Sequence, residues 1–415
     1  MKTSDGISGV AALSGEEADS EFRLGWPVVL ACFCMAVFSW GFGFYGQAVY
    51  LAELQATRGW SASLVASATT IYYLFGAFCL TAVHGAIERF GARLVLAAGT
   101  VVLGVGAIAI SRAVAPWQLY VGSLVMGVGW ACTSSTAIAT TLALWFDRRR
   151  GLAISLALNG ASAGGFTVAP ALVFLSRRHG LETAVAALAA AMLLVLVPLI
   201  LMVTRSQPGA AANLSSRRDA PPQPGGSSAV LCDPRFWTVA APFALAVAAQ
   251  VGFIVHQVSF LLPRLGVDGT GLAVACTSGA AVLGRLALGL VIDRLDQRRV
   301  SAATFASQAA ALLLMMALPD VSGILYLGSI AFGASVGNVI TLPALIVQRE
   351  FSAAAFGMVI GLSTAVGQFA YAFAPAALGI IHDVVGGYGP ALGLCAALDG
   401  LAALIVLRGR RPGRP

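Results

Sequence analysis

Twelve separate apolar runs, each long enough to cross a membrane as a helix, leave this 415-residue chain few ways to fold. A hydrocarbon core of ~30 Å needs about 20 helical residues at roughly 1.5 Å each, and within it every backbone N–H and C=O must be satisfied by the protein itself. The runs lie at Gly25 to Tyr50, Ser61 to His84, Leu94 to Ala113, Gln118 to Phe146, Leu152 to Ser176 and Leu181 to Thr204. Six more follow at Phe236 to Leu262, Gly269 to Ile292, Val300 to Leu318, Val321 to Val347, Ala354 to Ile381 and Tyr388 to Leu407. They predict an all-α integral membrane protein with a lipid bilayer as its main solvent. With 58% apolar and only 10% charged residues, the chain lacks the charged surface that water would require.

The spaces between the runs set the organisation. Residues 1–24 read as a disordered tail, because Lys2 is followed by Asp5, Glu16, Glu17, Asp19 and Glu21, which is not the layout of a cleavable signal peptide. Residues 205–232 contain the stretch Arg217-Arg218-Asp219-Ala220-Pro221-Pro222-Gln223-Pro224-Gly225-Gly226, too poor in apolar surface to fold, and read as a flexible cytoplasmic linker. The linker separates six-helix halves at 25–204 and 233–408, with a short cytoplasmic tail at 409–415. With both termini inside, the outer loops hold only Arg58, Arg112, Arg177, Arg178 and Arg264; apart from the intramembrane Arg285, the other 19 of the 25 Lys and Arg fall inside, as the positive-inside rule requires. The net charge of +7 thus follows topology and forms no contiguous basic surface for nucleic acid.

The halves repeat one another. His84-Gly85-Ala86-Ile87-Glu88-Arg89-Phe90-Gly91-Ala92-Arg93 follows the second run, and Gly289-Leu290-Val291-Ile292-Asp293-Arg294-Leu295-Asp296-Gln297-Arg298 follows the eighth. Glu88 and Asp293 are 205 positions apart, about half the chain. An acid at a helix end beside an Arg is able to latch one face of a two-bundle protein.

These segments resemble the loop signature of the major facilitator superfamily, an acid-Arg step between glycines followed by basic residues. The resemblance implies the major facilitator fold, twelve transmembrane helices as two six-helix bundles, with Glu88, Arg89, Gly91, Arg93, Gly289, Asp293, Arg294 and Arg298 gating the inner side. This sequence departs from the signature at His84, Glu88 and Asp296. Gly25-Trp26-Pro27-Val28-Val29, Gly59-Trp60-Ser61, Trp145-Phe146-Asp147-Arg148-Arg149-Arg150-Gly151 and Gly160-Ala161-Ser162-Ala163-Gly164-Gly165 are similar to segments of the monocarboxylate porter and oxalate/formate antiporter branch. The proton-coupled drug-efflux branch is a poorer match, since Ser123 stands where it carries an Arg and Gly164-Gly165 replaces its Gly-Pro step.

Arg285 lies about 12 Å along the helix from Asp293, at 1.5 Å per residue, where a cation is costly unless it meets an aqueous cavity or an acid. A guanidinium fork matches a carboxylate, and in the monocarboxylate porters a matching Arg binds the substrate carboxylate. Snorkelling, or a bond to a backbone carbonyl, is the structural alternative. Relative to those families, Ala281 replaces an Asp one turn before the Arg, a first-helix Lys aligns near Phe44, and an eleventh-helix Lys aligns near Ser363. A lone cation suits a monoanion. His256 is either a proton carrier or substrate donor, or a buried His bonded to a backbone carbonyl. Gln250, Asn338, Gln368, Tyr72 and Tyr73 fall near mid-helix, where they line a cavity or hold helices together. Asp399, inside the twelfth run, reads as a neutral or locally paired acid.

The expectation is therefore a secondary transporter of a small organic anion, with protons or a counter-transported anion as coupling partner, in a bacterial inner membrane. No cofactor is expected, and no GxxxxGK[ST] loop for ATP occurs. The alternatives are an efflux carrier for an apolar or cationic compound and a non-transporting sensor of the same fold. A membrane enzyme would need a cluster of acid, base or nucleophile, and His84, His179, His256 and His382 are spread too widely to provide one.

Overall fold

The computed structural model describes residues 24–146, 150–203 and 226–409. Among these are helices and short turns, with no strand. The first half holds α1 (Leu24–Arg58), α2 (Ala62–Phe90), α3 (Ala92–Ser111), α4 (Pro116–Leu142), α5 (Arg150–His179) and α6 (Leu181–Val203). The second holds α7 (234–265), α8 (267–291), α9 (Gln297–Ala317), α10 (Ser322–Glu350), α11 (Ala353–Val385) and α12 (Gly389–Arg408). Length and composition give 11 membrane-crossing spans among the described residues, one of them 55 residues long. Gly266, at φ 67° and ψ −172°, breaks that span in two, and twelve crossings result.

Several helices continue past the ends of their apolar runs. α1 extends from the expected Tyr50 to Arg58, where Gly59 at φ 65° stops it in the left-handed region. α2 passes His84 and runs to Phe90, so the segment read as a loop is mostly helix and turns only at Gly91, φ 81°. In the second copy Asp296 occupies the place of that glycine. Its carboxylate accepts from the N–H groups of Arg298 (3.0 Å) and Arg299 (3.1 Å), so an N-cap does the work of a left-handed turn. This explains the departure from the repeated signature. The expected linker is helical at its end, Gly226–Cys232. Its residues 205–225, the tail at 1–23, the basic loop 147–149 and the tail from 410 lie outside the described residues.

Matching helix pairs build each half: α3 packs on α4 and α6, and α9 packs on α10 and α12. The halves meet along α2 with α11 and along α1 and α5 with α7 and α8. Phe78, Leu194, Met202 and Val384 stand exposed on the outside, as a lipid-facing surface demands. Helix alternation puts the starts of α1 and α7 and the 226–232 segment at one end, the linker face; the α1–α2, α7–α8 and α11–α12 turns lie at the other, the far face.

Candidate functional site

The site is built on a close helix contact. Gly284 on α8 and Gly333 and Gly337 on α10 abut the facing backbone, and a Cβ at Gly337 would collide with Ala281 O and approach Arg285 Cβ at 3.1 Å. That approach lets Arg285 Nε donate to Gly337 O at 3.2 Å. The side chain is half-buried, and among the described residues it has no carboxylate within ion-pair distance. One guanidinium edge is anchored to backbone, and among the described residues its two terminal nitrogens have no hydrogen-bond partner.

The first half answers with α1. Its centre is a π-helical turn, Gly41–Tyr45, an insertion that often marks functional sites because it re-aims the side chains beyond it. Tyr45 leaves this turn on the side that faces α8 of the second half. A Cβ at Gly165 on α5 would meet Ser278 Oγ of α8 at 2.5 Å and Tyr45 Cε2 at 2.6 Å, so the glycine makes room for a contact among three helices. Ser278 Oγ is buried without a hydrogen-bond partner. Sequence reasoning passed over Tyr45 and Ser278; the closely spaced glycines in Gly41-Phe42-Gly43-Phe44-Tyr45-Gly46 were the available signal. Gly160 and Gly164 bring α5 against the α1 backbone at Phe33 and Val37.

Tyr72 and Tyr73 belong to an aromatic belt across the molecule. Trp40 and Trp130 rings lie 4.8 Å apart, Tyr72 is 6.1 Å from Trp130 and 4.8 Å from Tyr73, and Tyr73 meets Tyr371 of α11 edge-on at 5.2 Å. Both phenol oxygens are buried without a partner, as are Gln250 Oε1 and Asn338 Oδ1; Asn338 Nδ2 donates to Ala334 O at 3.0 Å. Gln368 is half-buried on α11.

His256 is placed differently. It is 1% exposed, and Nε2 lies 2.9 Å from Pro375 O, an acceptor only, so Nε2 carries the proton and Nδ1 accepts from Tyr388 Oη at 3.2 Å. Both nitrogens are thus occupied, and His256 ties α7 to α11 and the turn beyond it. Asp399 is fully buried, and neither of its oxygens has a partner among the described residues.

The expected gating set divides. Glu88, Arg89, Gly91, Arg93 and Arg294 are exposed at the linker face, with Arg89 lying over the Phe90 ring at 5.3 Å. The Asp293 side chain and Gly289 fall outside what is described. Arg298 is buried and bidentate to Glu350 at 2.6 and 2.7 Å, and it also donates to Val406 O, Thr238 O and Thr238 Oγ1. All these partners lie in the second half, so Arg298 pins α7, α9, α10 and α12 to one another and does not bridge the halves. Sequence reasoning also missed Glu53, a nearly buried acid held by Arg177 at 2.9 Å and Ser176 at 3.3 Å.

A family model described as Major Facilitator Superfamily matches residues 31–273. The chain belongs to the major facilitator superfamily. It is a multi-pass transporter of that family, and its relatives fit. It is 24% identical over 398 residues to the uncharacterized MFS-type transporter YcxA of Bacillus subtilis, covering 93% of this chain and 95% of that one. Monocarboxylate transporter 11 of Homo sapiens is 34% identical over 219 residues, which span 50% of this chain and 43% of that protein. Monocarboxylate transporter 3 of Rattus norvegicus is 32% identical over 159 residues, 38% of this chain and 32% of its own. The fold is similar to that of the xylose transporter XylE from E. coli in an inward open conformation, with a TM-score of 0.72, 14% identity, and coverage of 92% and 96% of the two chains.

Proposed function

We propose that this chain is a secondary transporter that carries a small organic anion, a monocarboxylate, through a bacterial inner membrane by alternating access, with both termini cytoplasmic. The observation that carries the reading is Arg285, a half-buried guanidinium at membrane depth whose one protein acceptor among the described residues is the Gly337 carbonyl. A cation placed so deep costs about 2.5–3.5 kcal/mol on insertion scales, and an anionic cargo offsets that cost. With Ala281 one turn before it, no acid on the same helix face competes for the guanidinium. A single cation suits a monoanion over a dianion, and the partial likeness to two proteins named monocarboxylate transporters points the same way. Tyr45, Ser278, Tyr72, Tyr73, Gln250, Asn338 and Gln368 would select among cargoes through their polar side chains. Coupling to protons or to a counter-transported anion is part of the proposal.

The test is uptake of a panel of short mono- and dicarboxylates into proteoliposomes, with and without a pH gradient. The expected result is uptake of one or more monocarboxylates by wild type and a large loss in Arg285→Lys, whose ammonium lacks the planar fork. Carboxylate uptake that ignores the substitution would falsify the assignment of Arg285. Absence of carboxylate uptake together with flux of an apolar or cationic compound would replace the reading with efflux.

A further inference from the structure

We propose that Asp383 is the latch of a gate on the far face, fastening the second half of the transporter to the first by capping the N-terminus of α2. The two carboxylate oxygens divide the work. Oδ1 accepts from the Ala62 N–H at 3.2 Å, and Oδ2 accepts from the Ser63 N–H at 2.7 Å. These are first-turn amides without intrahelical partners, and they sit at the positive end of the helix dipole. Ser61 caps the same turn from within the first half, accepting from Leu64 N–H at 3.2 Å. Two halves therefore share one helix cap, and an aqueous path to the central site at this seam requires the Asp383 share to come away.

Asp383 is held ready for this by its own half. His382 Nδ1 lies 3.1 Å from Oδ1, the His382 ring packs on Tyr388 at 4.3 Å, and Tyr388 in turn donates to His256. The mainly structural role of His256 thus has a destination, a rigid support behind the latch. Steric fit agrees, because a Cβ at Gly379, one turn earlier on α11, would meet Ala62 O and Ser63 Cα at 2.9 Å each. A second cross-half bond on the same face, from Ser259 Oγ to Gln55 Oε1 at 3.0 Å, joins α7 to α1. These three hydrogen bonds cross between the halves at the far face. The latch does not depend on which cargo Arg285 holds.

The test measures distances between spin labels on the full-length protein in lipid, with native cysteines replaced. One label pair spans the far face at Arg112 and Asp320, and another spans the linker face at Leu94 and Leu295, all exposed positions outside the site. Asp383→Ala is expected to raise the population of long far-face distances several-fold and to shorten the linker-face distances in step. Gly379→Val, which wedges the same seam without touching a charge, should do likewise, and Asp383→Asn, keeping one acceptor oxygen, should fall between. Unchanged distributions in Asp383→Ala and Gly379→Val would overturn the proposal. So would broadening at both faces without the reciprocal change, since that is the mark of a merely loosened fold.

Discussion

The two faces of this transporter are organised by opposite means. At the far face, charged and polar groups reach across from one half to the other: Asp383 to the α2 amides and Ser259 to Gln55. At the linker face the strongest polar cluster, Arg298 with Glu350, Thr238 and Val406, stays within the second half. Bonds inside a half make it a rigid body, and bonds between halves decide which way the rigid bodies tilt. Hydrogen bonds thus tie the halves together at one face and brace the second half at the other, an arrangement that suits the rocking mechanism proposed above.

The largest expected effect comes from breaking the stiffening. Arg298→Ala strands the Glu350 carboxylate in a buried setting, 16% exposed, and should cost about 3–5 kcal/mol, read as a large fall in thermal stability in detergent. An equal fall in cross-half distances with stability intact would instead make Arg298 a gate. Arg177→Ala leaves Glu53, 7% exposed, with the Ser176 hydroxyl as its one side-chain partner among the described residues, and should cost about 1–3 kcal/mol in the same assay. Because this pair lies within the first half, the far-face distance distribution should stay in place while the midpoint drops. The smallest effect belongs to Ser259→Ala, which removes one neutral hydrogen bond of about 1 kcal/mol and should shift the far-face equilibrium only slightly. A shift as large as that of Asp383→Ala would mean that the α1–α7 contact, and not the shared helix cap, is the main fastening.

Hydropathy made the twelve crossings legible, because lipid imposes the same demand on every span. Helix ends were less legible: α1 and α2 run past Tyr50 and His84 because helices persist in water wherever caps such as Gly59 and Gly91 stop them. Arg285 stood out as a charge inside an apolar run, and its place beside α10 follows from glycines at 333 and 337. For His256 the structure shows the second of the two readings, a buried His bonded to a backbone carbonyl, but its partners Pro375 and Tyr388, 119 and 132 positions away, were not legible. Asp383 gave least warning, because its partners are main-chain amides 321 and 320 positions off, which leave no mark in residue types. The π-helical turn that aims Tyr45 showed only in its closely spaced glycines, because the insertion changes backbone phase without changing hydropathy.

Equilibrium binding of a radiolabelled monocarboxylate, the one best taken up, to purified wild type and Arg285→Lys tests the central claim apart from any gating step. A guanidinium that holds the carboxylate by its planar fork predicts at least tenfold weaker binding in the Lys variant, about 1.4 kcal/mol. Equal affinity in the two proteins would contradict it.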